Sequence, residues 1–215
     1  MANIIPPEAL LGFYRNGLFP MAGPDGIRLF SPDPRGIIPL EGFKVPHGMK
    51  KTLKDERWVV TVDTAFEEVL LGCADRDETW IDESIFLSYT LLHRQGHAHS
   101  VEVWRDGVLG GGLYGVSIGG AFFGESMFHR ITGASKVALL WLVEILRLGN
   151  FHLLDTQWIT PHLAGFGAVE VPRAVYMRML QESVIKKAVF QAPTSEACRT
   201  VLKPDPAPNR DRSGI

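Results

Sequence analysis

The stretch HSVEVWRDGVLGGGLYGVSIGGAFFGESMF, His99 to Phe128, decides how the chain folds. In HSVEVW polar and apolar residues alternate with a period of two, the pattern of a strand with one buried face. Asp106-Gly107 supplies a tight hairpin turn, and Gly119-Gly120 divides VLGGGLYGVSI from AFFGESMF, so three consecutive strands are expected. Directly after them the period changes to that of a helix: Val137 to Leu148 is expected to be helical, entered near Ser135 and stopped by Gly149.

Working outward, WVVTV (Trp58 to Val62) reads as a buried strand. Thr64 and Glu67 read as a capping box opening a helix through Cys73, and Asp82 as the cap of a second helix ending at Gly96. On the other side, FHLLD is a strand, TPHLAGFG a short helix capped by Thr160 with Pro161 in its first turn, AVEV a strand, and Arg173 to Ile185 a helix. Residues 1–57, rich in Pro and Gly, read as a small N-terminal α/β domain of short strands and turns. Residues 58–190 form the main domain, and the polar, Pro-rich stretch 191–215 reads as a mobile tail. The fold class is α+β, and the order of elements in the main domain resembles the GNAT acyltransferase fold, a mixed sheet in which an acyl donor enters where central strands splay.

A chain of 215 residues with 46% hydrophobic and 21% charged residues can bury a sizeable core, which excludes global disorder. The run Val137 to Val143 ends at Glu144, far short of the ~18 apolar residues that a membrane span needs. The N-terminal MANIIPPEAL has no basic region before a long apolar stretch, and Cys73 and Cys198 have no paired spacing. Both features point to a cytoplasmic protein with no membrane partner, no disulfide framework and no zinc site. His97 and His99 share a strand face but lack a third ligand, so they read as structural histidines and no metal is expected.

The net charge of −2 is unevenly spread. Lys plus Arg against Asp plus Glu run 8 against 6 over residues 1–58, 3 against 11 over 59–125 and 11 against 7 thereafter. Lys44, Lys50, Lys51, Lys54 and Arg57 crowd one segment, a spacing that could set several cations on one helical face, either as a solvated surface or against nucleic-acid phosphates. No nucleotide-binding motif GxxxxGK[ST] is present. RITGAS (Arg130 to Ser135) approximates the R-x-x-G-x-G/A loop with which acetyl-CoA-dependent GNAT members hold pyrophosphate, and equally fits an ordinary helix entry.

Asp155 and Gln157 lie two positions apart at the end of a strand, so in extended geometry both side chains project to the same side. An amine attacking an ester must shed a proton, and an amide oxygen held by a carboxylate can accept and orient that hydrogen. Glu125, flanked by Phe122, Phe123, Met127 and Phe128, needs a partner. It could be Lys136 or Arg130, or a cation brought by substrate. Trp104, Met127, Leu113, Leu142 and Leu146 are candidates for the wall of an apolar cavity, although Leu142 and Leu146 also fit plain helical core spacing.

Taken together, SPDPRGIIPL, HSVEVW, GLYGVSIGGAFFGESMF, ASKVALL and LLDTQ-x-x-TPHL-x-x-x-GA-x-E-x-PR closely resemble the leucyl/phenylalanyl-tRNA-protein transferases, from Gly17-Leu18-Phe19-Pro20 to Tyr176. The resemblance implies transfer of leucine or phenylalanine, with methionine as a further donor, from aminoacyl-tRNA to the N-terminal Lys or Arg of acceptor proteins. Such tagging commits those proteins to N-end rule degradation, and the enzyme would act as a monomer with no cofactor. It gives Gln157 the role of orienting the amine and Asp155 that of polarising Gln157, and it places Glu125 and Ser126 at the substrate. Ahead of SPDPR many members carry tryptophan where this chain has Leu29-Phe30, so Phe30 is expected to form a reduced aromatic wall. The competing readings are an acetyl-CoA-dependent N-acetyltransferase and a non-catalytic tRNA-binding protein.

Overall fold

The computed structural model describes residues 3–53 and 55–192. In chain order the elements are α1 (Pro7–Arg15), β1 (Phe19–Gly23), β2 (Gly26–Phe30), β3 (Arg35–Ile38), α2 (Met49–Leu53), β4 (Trp58–Val62), α3 (Phe66–Ala74), α4 (Glu83–Arg94), β5 (Ala98–Arg105), β6 (Val108–Ile118), β7 (Ala121–His129), α5 (Ala134–Leu148), β8 (Leu153–Gln157), α6 (Pro161–Ala164), β9 (Val169–Val171) and α7 (Arg173–Val184). Seven strands form one sheet in the order β4-β5-β6-β7-β8-β3-β9, and β1 and β2 form a separate hairpin. All neighbours in the large sheet are antiparallel except β7 and β8, giving the mixed sheet expected of a GNAT-like fold.

Alternation along the central strands feeds two cores. Leu153 and Phe123 face a cluster with Leu10, Tyr14, Val69, Ile85 and Leu180, whereas Leu154 and Phe122 face one built on α5. Helices therefore cover both faces, and α5 is apolar around most of its circumference because it lies across the sheet.

Several local expectations give way to stronger physics. The N-terminal stretch, expected as short strands and turns, opens with a helix: Pro6 is the N-cap of α1 and Pro7 its first residue, where the missing N–H costs nothing. Thr64 does not cap α3, whose N-cap is Ala65. Its hydroxyl donates instead to Glu102 Oε2 at 3.0 Å, helping Thr61 and Ser100 to satisfy a carboxylate with no exposed surface. β4 was expected to be buried but sits at the sheet edge, mostly half-exposed. At the entry to α5 Gly133 takes a left-handed φ of 95°, and a Cβ there would lie 2.8 Å from Thr52 of α2, so RITGAS serves as a packed helix entry.

β3 comes from the N-terminal stretch yet lies inside the large sheet, between β8 and β9. Gly36 makes this possible at its tightest point, because a Cβ there would lie 2.8 Å from the Trp158 carbonyl carbon. Residues 193–215, most of the expected tail, and Cys198 lie outside the described residues.

Candidate active site

β7 and β8 pair in parallel only from Ala121↔Leu153 to Phe123↔Asp155 and then part. Beyond the parting lies a cavity of about 370 Å³. Leu113 of β6, Met127 of β7, Leu139 and Leu142 of α5, Leu154 of β8 and Leu163 of α6 give it apolar walls, and Phe19, Trp80 and Trp158 add aromatic ones.

Glu125 reaches this cavity because β7 carries a bulge. Tyr114 pairs with Ser126 and Gly115 with Gly124, leaving Glu125 as the extra residue, and such an insertion re-aims a side chain. Its carboxylate meets neither Lys136 nor Arg130. Oε2 accepts from the Tyr89 hydroxyl and Oε1 from Gln157 Nε2, each at 3.1 Å. The Tyr89 hydroxyl in turn hydrogen-bonds the Tyr14 hydroxyl. Burial pushes the carboxyl of Glu125 up to about 7, partly opposed by the tyrosine hydroxyls. The same burial, reinforced by the charge of Glu125, holds both tyrosines well above their ordinary range, so they stay protonated donors.

Asp155 and Gln157 do not project to one side. Leu154 and Thr156 line the cavity while Asp155 turns to the opposite face, as the period of a strand requires. Gln157 then breaks the alternation with a φ of 57°, which brings its side chain round to the cavity. The Asp155 carboxylate consequently meets the backbone N–H of Gln157, at 2.9 Å to Oδ1, and not the side-chain amide. Its other partners are Arg35, whose Nε and Nη2 form a bidentate pair at 2.9 and 2.7 Å, and the Tyr176 hydroxyl at 2.7 Å. Arg35 also donates to the Gly17 carbonyl at 2.9 Å and lies over the rings of Tyr176 and Phe19. Arg35 and Asp155 are both essentially inaccessible, so each charge depends on the other.

Of the wall residues expected from sequence, Glu125, Ser126, Met127, Leu113 and Leu142 line the cavity. Leu146 packs with no exposure in the core beneath, two turns further along α5 than Leu139. Trp104 lies on β5, bonded through Nε1 to Thr61. Phe30 stands one layer back, its ring 6.1 Å from Phe19 and 6.3 Å from Trp158. Sequence reasoning assigned no role to Arg35, Tyr14, Tyr89, Tyr176, Arg76, Thr156 or His162. The signal available for Arg35 was a lone cation heading the apolar run RGII. Thr156 Oγ1, His162 Nε2 and the Tyr114 hydroxyl are buried without a partner among the described residues, and all three side chains line the cavity. Burial, with Lys136 and His129 nearby, lowers the pKa of His162 and favours its neutral form.

The basic segment does not form one cationic helical face. α2 spans only Met49–Leu53, so it carries Lys50 and Lys51 but neither exposed Lys44 before it nor Arg57 after it. Arg57 is paired with Asp55 at 2.8 Å, and Lys54 lies outside the described residues. His99 is structural as expected, held by Asp63 at 2.8 Å and Ser117 at 3.1 Å beneath the ring of Phe190. Among the described residues no group of three His, Cys, Asp or Glu could hold a metal, and no helix is long and apolar enough to cross a membrane.

Residues 37–181 match the leucyl/phenylalanyl-tRNA protein transferase family. Curated relatives named leucyl/phenylalanyl-tRNA–protein transferase are similar over nearly their whole length. One from Rhodopseudomonas palustris (strain TIE-1) is 52% identical over 198 residues, covering 89% of this chain and 88% of its own. One from Nitrobacter winogradskyi is 51% identical over 195 residues, covering 87% of each. One from Cereibacter sphaeroides is 47% identical over 213 residues, covering 97% of this chain and 96% of its own. With half its residues shared across most of its length, and with a cavity opening where its central strands part, the chain belongs to the leucyl/phenylalanyl-tRNA–protein transferase family.

Proposed function

We propose that this cavity takes the aminoacyl group of Leu-tRNA or Phe-tRNA and that the protein transfers it to the N-terminal Lys or Arg of an acceptor protein, tagging it for N-end rule degradation. One observation carries the assignment to this site: an apolar cavity ringed by Met and Leu side chains, with a carboxylate and an amide held together at its wall. The apolar walls suit an uncharged side chain, and Glu125 suits the ammonium group of either substrate.

Gln157 Nε2 is engaged by Glu125, which leaves the amide oxygen to accept an N–H of the incoming amine. The amine attacks the ester carbonyl, a C–N bond forms, the ester C–O bond breaks, and the proton lost by nitrogen ends on the ribose oxygen. The aminoacyl ester is already activated, so positioning supplies the catalysis and no cofactor or covalent enzyme intermediate is needed. Asp155 acts as a positioning residue: with Arg35 and Tyr176 it fixes the backbone turn that aims Gln157. The unpartnered Thr156, His162 and Tyr114 atoms await polar groups of a ligand. Lys44, Lys50, Lys51 and Lys54 are the proposed tRNA-phosphate contacts, the site of action is the cytoplasm, and the active form is a monomer.

The test supplies radiolabelled Leu-tRNA, Phe-tRNA or acetyl-CoA with a protein beginning in Arg. Acid-stable label from the two tRNAs alone is expected. Label from acetyl-CoA would select the acetyltransferase reading, and none at all a binding module.

A further inference from the structure

Arg76 follows α3 and lines the cavity beside Trp80, Ser126 and Met127. Its Nε donates to the Cys73 carbonyl at 2.8 Å, satisfying an orphan acceptor in the last turn of α3, and Nη2 donates to Ser126 Oγ at 2.9 Å. Nη2 also reaches the Met127 carbonyl at 3.5 Å, and all three acceptors are neutral. Asp75, Asp77 and Glu78 flank it in sequence, yet among the described residues none of them, and no other carboxylate, lies within ion-pair distance, and Nη1 has no partner. Residues 59–125 hold only 3 Lys or Arg against 11 Asp or Glu, and of those three Arg94 pairs with Glu67 and Arg105 with Asp55. An exposed guanidinium at the cavity rim, held by neutral acceptors and left without a counter-ion in the most acidic part of the chain, is placed for an anion that arrives with a ligand.

The two substrates differ in the charge they bring. The acceptor protein offers its ammonium and a cationic side chain, which Arg76 repels. The aminoacyl-tRNA offers phosphates. We infer that Arg76 binds the phosphate on the 5′ side of the terminal aminoacylated nucleoside, so that the cavity holds its donor at two opposite charges: Glu125 on the ammonium side and Arg76 on the phosphate side. The inference rests on the aminoacyltransferase reading of the cavity. It makes Arg76 a substrate-positioning residue that discriminates an aminoacyl nucleotide from an aminoacyl nucleoside.

The probes are 3′-phenylalanylamido-3′-deoxyadenosine, whose amide cannot be transferred, and its 5′-phosphate, titrated calorimetrically into the full chain. For the wild type the phosphate should tighten binding roughly tenfold or more, as expected for a charge-assisted hydrogen bond. In Arg76→Gln the phosphate should add less than twofold to the affinity of the nucleoside measured on the same variant. Should that variant melt early, Arg76→Lys, which keeps the charge and loses the paired donors, should retain only part of the gain. An equal phosphate gain in wild type and variant overturns the inference, as does an equal loss of both ligands, which would make Arg76 a cap of α3 alone. If the wild type binds neither probe, the aminoacyl reading of the cavity itself fails and this assignment with it.

Discussion

Asp155 governs Gln157 through the main chain: its carboxylate accepts the Gln157 N–H at 2.9 Å, while the Gln157 side chain points away to Glu125. One residue therefore holds a backbone turn and the other presents an amide, and their replacements should have different signatures. Asp155→Asn leaves the buried Arg35 without its counter-ion and should cost about 3 to 5 kcal/mol of stability. Gln157→Ala should cost about 1 kcal/mol or less yet slow single-turnover transfer at saturating tRNA by tenfold or more. Thermal melts and single-turnover rates on the two variants separate the roles, and equal melting losses would show that both residues are structural.

Glu125 titrates near neutrality because of burial, and the sign of its effect follows. Its folded pKa, about 7, lies above the ordinary 4.5, so the stability tied to its protonated form is complete below pH 4.5 and lost as pH rises through 7. The wild type should be less stable at pH 8 than at pH 5 by at most about 3 kcal/mol from this group, and Glu125→Gln should flatten that slope. Activity should run the opposite way, rising with pH as the carboxylate that receives an ammonium forms. Denaturant melts and rate profiles between pH 5 and 8.5 read both.

The cavity wall, not the layer behind it, should set donor preference. Met127→Ala enlarges the cavity and should favour phenylalanine over leucine by about 1 kcal/mol in kcat/KM. Phe30→Trp acts only through Phe19 and Trp158 and should shift the ratio less than twofold. Competition between the two charged tRNAs measures both, and a larger shift from position 30 would place its ring in the pocket.

Charge on α2 should matter more to tRNA than charge on Arg57. The double substitution Lys50→Ala with Lys51→Ala should lower the slope of log affinity against log salt by about 1 to 2, whereas Arg57→Ala, whose guanidinium shares the Asp55 carboxylate with Arg105, should lower it by less than about 1. Filter binding at several salt concentrations decides.

The parts of this molecule that were legible in sequence are those whose determinants are local. β5, β6 and β7 follow from alternation and from Asp106-Gly107, and α5 from its helical period. The site was legible as a set of positions but not as a set of bonds. Arg35 and Asp155 are 120 residues apart, and no period connects them. The bulge that frees Glu125 depends on β6 pairing out of step with β7, and the turn at Gln157 on a left-handed φ that glutamine does not advertise. Thr64 was misread because a local motif cannot reveal that a buried Glu102 competes for the hydroxyl.

The position of β3 also bears on how the protein is made. Arg35–Ile38 leaves the ribosome early, but both neighbours of this strand, β8 and β9, are translated more than a hundred residues later. Contacts so distant in sequence close late in folding. A partly synthesised chain lacks the anchor of Gln157 whatever else has folded, so a translating ribosome, surrounded by charged tRNA, carries no prematurely assembled transferase site.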